Sequence, residues 1–312
     1  MTQSAERSVV VTGGSGFIGR HALGRLMERG FAIHLLGRTP IQPEPAGGTT
    51  WQFHACDLVS QSPQDLLRDI RPTHLLHLAW YVEPGLFWSA PENLDWVAAS
   101  LRLTRAFVAA GGRRAVFAGS CAEYDWRFQK LDERTTPLHP GSGYGVAKLA
   151  LYRLLESYAD RAGLSFAWAR IFFPYGPGEP AGKLISSVID AIAEDRPVAC
   201  TTGQQMRDFM HVADVSRALV ELLDGTLEGP VNLANGEAIA VRDIVELTAR
   251  LMGGMHLLRF GDLAPRPDEP PCLEAAVARL HGELNFRPGF TLRDGLQQTI
   301  LARTGGGERG RQ

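Results

Sequence analysis

Within its first 36 residues the chain writes a strand, a glycine loop, a helix and a second strand, and few folds can use that order. Ser8-Val9-Val10-Val11 is a short β-branched run that reads as a buried strand. Thr12-Gly13-Gly14-Ser15-Gly16-Phe17-Ile18-Gly19 follows at once, and Ile18, Ala22, Leu23, Leu26 and Met27 then recur at helical spacing up to Gly30. Phe31-Ala32-Ile33-His34-Leu35-Leu36 forms the second strand. In this context the glycines permit a tight turn and a close approach of the backbone to a pyrophosphate. The helix N-terminus beyond them offers free N–H groups and the positive end of a dipole. Gly13, Gly16, Phe17, Ile18 and Gly19 are therefore the expected dinucleotide-binding residues; the alternative is a strand-to-helix turn with no ligand.

The second strand runs into Gly37-Arg38-Thr39. A carboxylate there would bond the ribose 2′-hydroxyl and select NAD, whereas an arginine can pair with a 2′-phosphate. Arg38 thus predicts NADP, with NAD as the alternative if Arg38 is only a solvated loop residue.

Further strands and helices alternate along the chain. Thr73–Ala79, Arg114–Gly119 and Leu164–Arg170 read as strands, and Asn93–Ala110 and Tyr144–Ala162 as helices, with Gly111-Gly112 stopping the first of them. This alternation predicts an α/β fold, a Rossmann-type doubly wound parallel sheet. After about Phe172 prolines and loops increase, and shorter helices are expected at Leu184–Glu194 and Val241–Leu251. The boundaries that follow are 8–172 for the NADP-binding unit, with 210–236 returning to it. A smaller C-terminal substrate lobe takes 173–209 and 237–303, and 304–312, rich in Gly and Arg, is an expected disordered tail.

Composition narrows the partners. A net charge of −2 with 21% charged residues gives no electrostatic case for nucleic acid or an anionic membrane. No apolar run reaches membrane-spanning length, and Met1–Arg7 is polar and lacks the core of a signal peptide. Cys56, Cys121, Cys200 and Cys272 form neither close pairs nor a metal-ligand spacing, which fits a reducing cytoplasm and no metal.

The chemistry is written at Tyr144-Gly145-Val146-Ala147-Lys148. On a helix a phenol and an ammonium four residues apart share one face. The cation would then stabilise the phenolate and lower the tyrosine pKa from its usual value of about 10. A tyrosine tuned in this way exchanges a proton with an alcohol or ketone oxygen. Taken alone, the spacing also describes a surface pair on any amphipathic helix.

Together these residues resemble the extended short-chain dehydrogenase/reductases, specifically the nucleotide-sugar epimerases, dehydratases and reductases. The resemblance spans about Val9 to Gly295. Besides the glycine loop it rests on Asp57-Leu58, Leu78-Ala79, Ser120 with Tyr124, Tyr144/Lys148, Arg170–Gly178 (RIFFPYGPG), Arg207–Asp214 (RDFMHVAD) and Ala264-Pro265-Arg266-Pro267. It implies that Asp57 and Leu58 lie near the adenine and that Leu78 and Ala79 line the cofactor cleft. It implies that Tyr144 is the general acid/base, that Lys148 binds the nicotinamide ribose, and that Ser120 bonds the reacting oxygen. Ser120 as a turn serine capping the next segment is the alternative. Arg207 and Arg266 occupy the positions that hold the nucleotide diphosphate, although Arg266 could equally make a surface salt bridge. His211 and Asp214 read as structural. Dimerisation through two helices per subunit is a further expectation from the family.

Departures from the family pattern point to a reaction. Sugar 4,6-dehydratases carry an Asp-Glu pair directly after the catalytic hydroxyl residue; here those positions are Cys121 and Ala122, so elimination lacks its acid and base. Glu123 stands one place too late. The Asn of the family's Arg-x-x-Asn motif is Phe173 here, an apolar wall suited to a 6-deoxy sugar or simply to packing. Trp80, Tyr81, Phe87 and Trp88 either shape the same pocket or pack the core. Some relatives that epimerise beside a ketone use a cysteine acid/base, one position further on than Cys121. Trp80, Cys121, Phe173, Arg207 and Arg266 form the expected substrate-binding set. The expected activity is NADPH-dependent reduction of an NDP-4-keto-6-deoxyhexose at C4. The alternatives are an NDP-hexose 4-epimerase with retained NAD and a non-catalytic dinucleotide sensor, the latter disfavoured because both Tyr144 and Lys148 are intact.

Overall fold

The computed structural model of the chain describes residues 7–40 and 51–305. Seven parallel strands make the central sheet, in the order Gly229–Leu233, Ser165–Ile171, Arg114–Ser120, His74–His77, Ser8–Thr12, Ala32–Gly37, Trp51–Ala55. The fold is the expected Rossmann-type α/β sheet. Both of its faces are covered. Val9 and Val11 join one core with Leu23 and Leu26 of α1 (Phe17–Glu28) and Leu219 and Leu223 of α6 (Val212–Asp224). Val10 turns to the other face. There it meets Leu67 of α2 (Gln64–Ile70), Leu103 and Phe107 of α3 (Glu92–Ala109), and Leu151 and Leu155 of α4 (Gly143–Ala162). Burial on both faces explains why the first strand reads as an unbroken apolar run and not as an alternation.

Past Ile171 the elements are shorter. Helices α5 (Leu184–Ala193), α7 (Val241–Met252) and α8 (Leu292–Thr304) pack through Ile185, Ile189, Ile244 and Leu296. The pair Phe173–Tyr175 and Phe209–His211 and a four-stranded sheet flank them. One piece of the span 8–172 sits apart from the central sheet: Lys130–Leu131 pairs with Glu274–Ala275 in the four-stranded sheet. Strand Gly229–Leu233 and helix α6 lie with the central sheet, within the segment 210–236.

Of the expected tail, Thr304 closes α8 and Gly305 follows it, while 306–312 lie outside the described residues, as do 1–6 of the polar N-terminus. Among the described residues no helix is long and apolar enough to cross a membrane, and no cluster of three His, Cys, Asp or Glu side chains could hold a metal ion. All four cysteines are free thiols.

Candidate active site

A parallel sheet presents all its carboxyl ends on one edge, where open α/β sheets bind their ligands. Here that edge gathers the glycine loop after Thr12, Arg38 after Gly37, Asp57-Leu58 after Ala55, Leu78-Ala79 after His77, and Ser120. Gly13 takes φ +71°, and a Cβ there would lie 2.7 Å from the Ala79 nitrogen; a Cβ on Gly19 would lie 2.1 Å from the Gly13 carbonyl oxygen. Only glycines let the loop fold this tightly against Leu78-Ala79 and α1. Gly16 caps α1 without a side-chain bond, so the N–H groups of its first turn, at Phe17, Ile18 and Gly19, face outward with their dipole. This cradle fits a dinucleotide pyrophosphate.

Behind the loop the strand ends are tied together. The Thr12 hydroxyl meets His77 Nδ1 at 2.7 Å and accepts the Ala79 N–H at 3.3 Å, while His77 Nε2 meets the Ser100 hydroxyl at 2.9 Å. Ser100 spends its proton on the Trp96 carbonyl, so His77 donates from Nε2 and accepts at Nδ1. Burial and the nearby Lys148 charge push His77 down to about 3, and it stays neutral. Arg38 is exposed. The Asp57 carboxylate accepts from Val59 N, and the Asp57 N–H donates to Gln61. Leu58 is buried.

Ser120 ends its strand and caps a short turn, accepting Ala122 N at 3.1 Å. Helix α4 comes up against this turn because residue 145 is glycine: a Cβ there would lie 2.3 Å from the Ala122 carbonyl oxygen. That contact brings Tyr144 beside Ser120, near enough for the hydroxyl to favour the phenolate. Trp80, Phe87 and Trp88 meet the Tyr144 ring edge-on at centroid separations of 6.4, 4.9 and 5.9 Å. The serine is therefore both a turn cap and a neighbour of the tyrosine.

The electrostatics of Tyr144 reverse the expectation from its spacing. Burial pushes the phenol well above its ordinary value, only partly offset by the nearby Ser120 hydroxyl, and the Glu123 carboxylate adds to the rise. Lys148 does not reach the phenol. Its ammonium donates to the Ala118 carbonyl at 2.8 Å and lies 3.7 Å from the centre of the Trp80 ring, but 5.9 Å from that of Tyr144. Burial presses Lys148 down to about 7. In a site this dry, desolvation outweighs an i,i+4 attraction.

Glu123 points away from the cleft. Its buried carboxylate pairs with Arg170 at 2.8 Å and accepts Ser120 N and Trp168 Nε1. Arg170 also donates to the Tyr124 hydroxyl, which donates to Asn232, so Tyr124 braces the site from below. Cys121 is buried among Tyr124, Leu131, Phe172 and Leu273, and burial lifts its thiol to about 12. A thiol held there is a poor acid/base. Cys121→Ala is expected to keep turnover within about threefold, the scale of a change that removes no proton carrier; a loss of two orders of magnitude in steady-state rate would return Cys121 to the chemistry.

The substrate-side set is only partly assembled. Arg207 is buried and bonds Glu269, Met206 O and Pro270 O, with Phe173 5.7 Å from it. Arg266 is exposed in its loop. His211 caps α6, and Asp214 accepts Gly289 N and Phe290 N, both structural roles. Trp80 is buried, and its indole N–H donates to Asn93, which in turn donates to Phe87 O and Ala90 O. It backs Tyr144 and Lys148. Asn93 escaped sequence reasoning, since a lone Asn in the first turn of a helix carries no chemical signature.

A Rossmann sheet with a serine, tyrosine and lysine at its carboxyl edge defines a dinucleotide-dependent enzyme of carbonyl–alcohol chemistry. The sequence profile of the NAD dependent epimerase/dehydratase family matches residues 9–234, and the chain belongs to that family. It is 26% identical to the CDP-abequose synthase of Salmonella typhimurium over 94% of this chain and 97% of that one. It is 27% identical to the UDP-glucose 4-epimerase of Azospirillum brasilense, over 96% and 92%. The structure of MoeE5 in complex with UDP-glucose and NAD superposes with a TM-score of 0.84 at 32% identity, covering 96% of this chain and 99% of that one.

Proposed function

We propose that this chain is a nucleotide-sugar ketoreductase that reduces an NDP-4-keto-6-deoxyhexose at C4 with NADPH. The observation that carries the reading is Arg38, exposed at the end of strand Ala32–Gly37, where it can pair with the 2′-phosphate of an exchanging NADPH. Tyr144, whose phenol burial favours in its neutral form, can serve as the acid at the developing alkoxide. Gly13, Gly16, Phe17, Ile18 and Gly19 would hold the dinucleotide by its pyrophosphate, and NADPH bound there would supply the hydride.

The chain's own residues do the rest. Ser120 bonds the carbonyl oxygen and Tyr144 gives it a proton. Lys148 holds positive charge beside the nicotinamide ribose, while Leu78 and Ala79 wall the cleft and Asp57 and Leu58 border the adenine. The rings of Phe87 and Trp88 beside Tyr144 exclude water and suit a sugar whose C6 is a methyl group. Arg207 and Arg266 are the candidate diphosphate contacts, with Arg207 exchanging Glu269 for the substrate. Elimination finds no support, since Cys121 and Ala122 replace its acid and base.

The runner-up is an NDP-hexose 4-epimerase with retained NAD, favoured by the UDP-glucose 4-epimerase relative and by the NAD in the MoeE5 complex. Incubation with NADPH and a panel of NDP-sugars and NDP-4-keto-sugars separates the two. Stoichiometric loss of NADPH supports the reductase; isomerisation with no net cofactor change supports the epimerase.

Exposed Arg38 at the strand end should also set cofactor choice. We expect kcat/KM at least about tenfold higher with NADPH than with NADH, and a loss of that preference in Arg38→Ala, on the scale of one charge-assisted bond. Equal kinetics in the unaltered enzyme would refute the NADP assignment. A homodimer is proposed through α3 and α4, where Leu94, Val146 and Leu154 are exposed; a sedimentation mass of one chain at micromolar concentration would count against it. Four free thiols are compatible with action in the cytoplasm.

A further inference from the structure

Lys148 is one of only three lysines in the chain, beside Lys130 and Lys183, among 32 basic residues. Its buried ammonium has two neighbours of note. One is the Ala118 carbonyl at 2.8 Å, and the other is the face of Trp80 at 3.7 Å. The indole is itself held firmly. Its N–H donates to Asn93 at 2.8 Å, it stacks on Trp96 with 6.2 Å between ring centres, and it meets the edge of Tyr144. Asn93 is buried and donates both amide protons, to Phe87 O and Ala90 O. The plane that faces the ammonium is thus fixed from three sides.

We propose that Trp80 is a positioning residue that acts through Lys148, its indole face holding the ammonium charged and in place in a site from which water is excluded. A cation over an indole gains more when desolvated than when exposed, and tryptophan is the strongest of the aromatic partners. The other groups that face Lys148 do not replace it. Glu123, from the turn after Ser120, attracts it from a distance while paired to Arg170; His77, from the neighbouring strand, is neutral; and Tyr144, on the same helix, is a neutral phenol. Remove the indole face and the charged lysine keeps the Ala118 carbonyl as its contact but loses the ring that faces it, so its proton leaves more readily. This inference rests on the proposed role of Lys148 in catalysis, but its primary readout does not.

With lysine labelled at ¹³Cε, three signals report three titrations, and Lys148→Met identifies the one of interest. In Trp80→Leu the Lys148 midpoint should fall by about one unit or more, and in Trp80→Phe by roughly half as much, following the strength of the aromatic partner. Biosynthetic replacement of tryptophan by mono-, di- and trifluorotryptophan keeps the shape and drains the ring face. It should lower the midpoint stepwise, and it decides the matter if Trp80→Leu does not fold. A midpoint unmoved in Trp80→Leu and across the fluorinated series overturns the proposal. In turnover, Trp80→Leu should lose about tenfold or more in kcat, and Trp80→Phe should restore most of it. If the midpoint shifts while no keto-sugar is reduced by any form of the enzyme, the reductase reading fails and the positioning role stands.

Discussion

Replacing Tyr144 by Phe is expected to lower turnover by about 10²–10⁴-fold, the usual contribution of a positioned general acid, while NADPH binds nearly as before. The phenol lies beside Ser120 at the carboxyl end of a central strand, and its ring is held edge-on by Trp80, Phe87 and Trp88. Phenylalanine keeps every one of those ring contacts and removes only the proton donor. The cofactor cradle, built from Gly13, Gly19 and the open end of α1, lies on other elements. Rapid-mixing rates and a fluorescence titration of NADPH read the two quantities separately. Turnover within tenfold of the unaltered enzyme would show that the proton comes from elsewhere. Loss of cofactor binding in step with turnover would show that Tyr144 is structural.

The second large effect concerns stability. Arg170 and Glu123 are an ion pair buried to 1% and 0% side-chain exposure. Taking away one partner leaves a charge in the core, and Arg170→Met is expected to cost about 3–5 kcal/mol, a large part of the roughly 5–15 kcal/mol that holds a domain folded. The double change Arg170→Met with Glu123→Leu should recover part of that loss, because exchanging both partners for apolar groups is close to neutral. Recovery should be incomplete and turnover should stay low. Glu123 also accepts Ser120 N at 2.7 Å and Trp168 Nε1 at 2.9 Å, so without it the turn that aims the Ser120 hydroxyl is no longer anchored. Urea midpoints measure the first effect and steady-state rates the second. An Arg170→Met enzyme that melts within about 1 kcal/mol of the original would mean the pair is not a buried charge pair in solution.

Much of this molecule is legible from its sequence because its chemistry sits at strand ends. Val9–Val11 with Gly13, Gly16 and Gly19 announces a Rossmann sheet, since no other residue tolerates the approach of Gly13 to Ala79 or of Gly19 to the Gly13 carbonyl. Strand His74–His77 and helices α3, α4, α5 and α7 fall within a residue or two of the sequence expectation. Strand Trp51–Ala55 was not anticipated. It is the edge strand, half-exposed, and Trp51-Gln52-Phe53-His54-Ala55 lacks the continuous apolar run of its neighbours.

The site is less legible where burial decides. Tyr144 and Lys148 stand on one helix face as the spacing requires, yet four residues of separation carry no information on what else surrounds the ammonium. The Ala118 carbonyl and the Trp80 ring, 30 and 68 residues away in sequence, claim it. Desolvation, a property of the assembled core, then raises the phenol instead of lowering it. Glu123 likewise reads as a stray carboxylate until Arg170, from the adjacent strand, is seen beside it.

If Tyr144 serves a net reduction, the hydride from NADPH must end on C4 of the product. The most direct test supplies (4-²H)NADPH, with the label on each face in turn, and an NDP-4-keto-6-deoxyhexose, and locates deuterium in the product by NMR. A reductase places one deuterium on C4 for each NADPH consumed, from one face only, and shows no transfer in Tyr144→Phe over the same time. A keto sugar left unreduced with no loss of NADPH, beside an NDP-hexose inverted at its C4 hydroxyl without added cofactor, would contradict the reductase and leave the epimerase in its place.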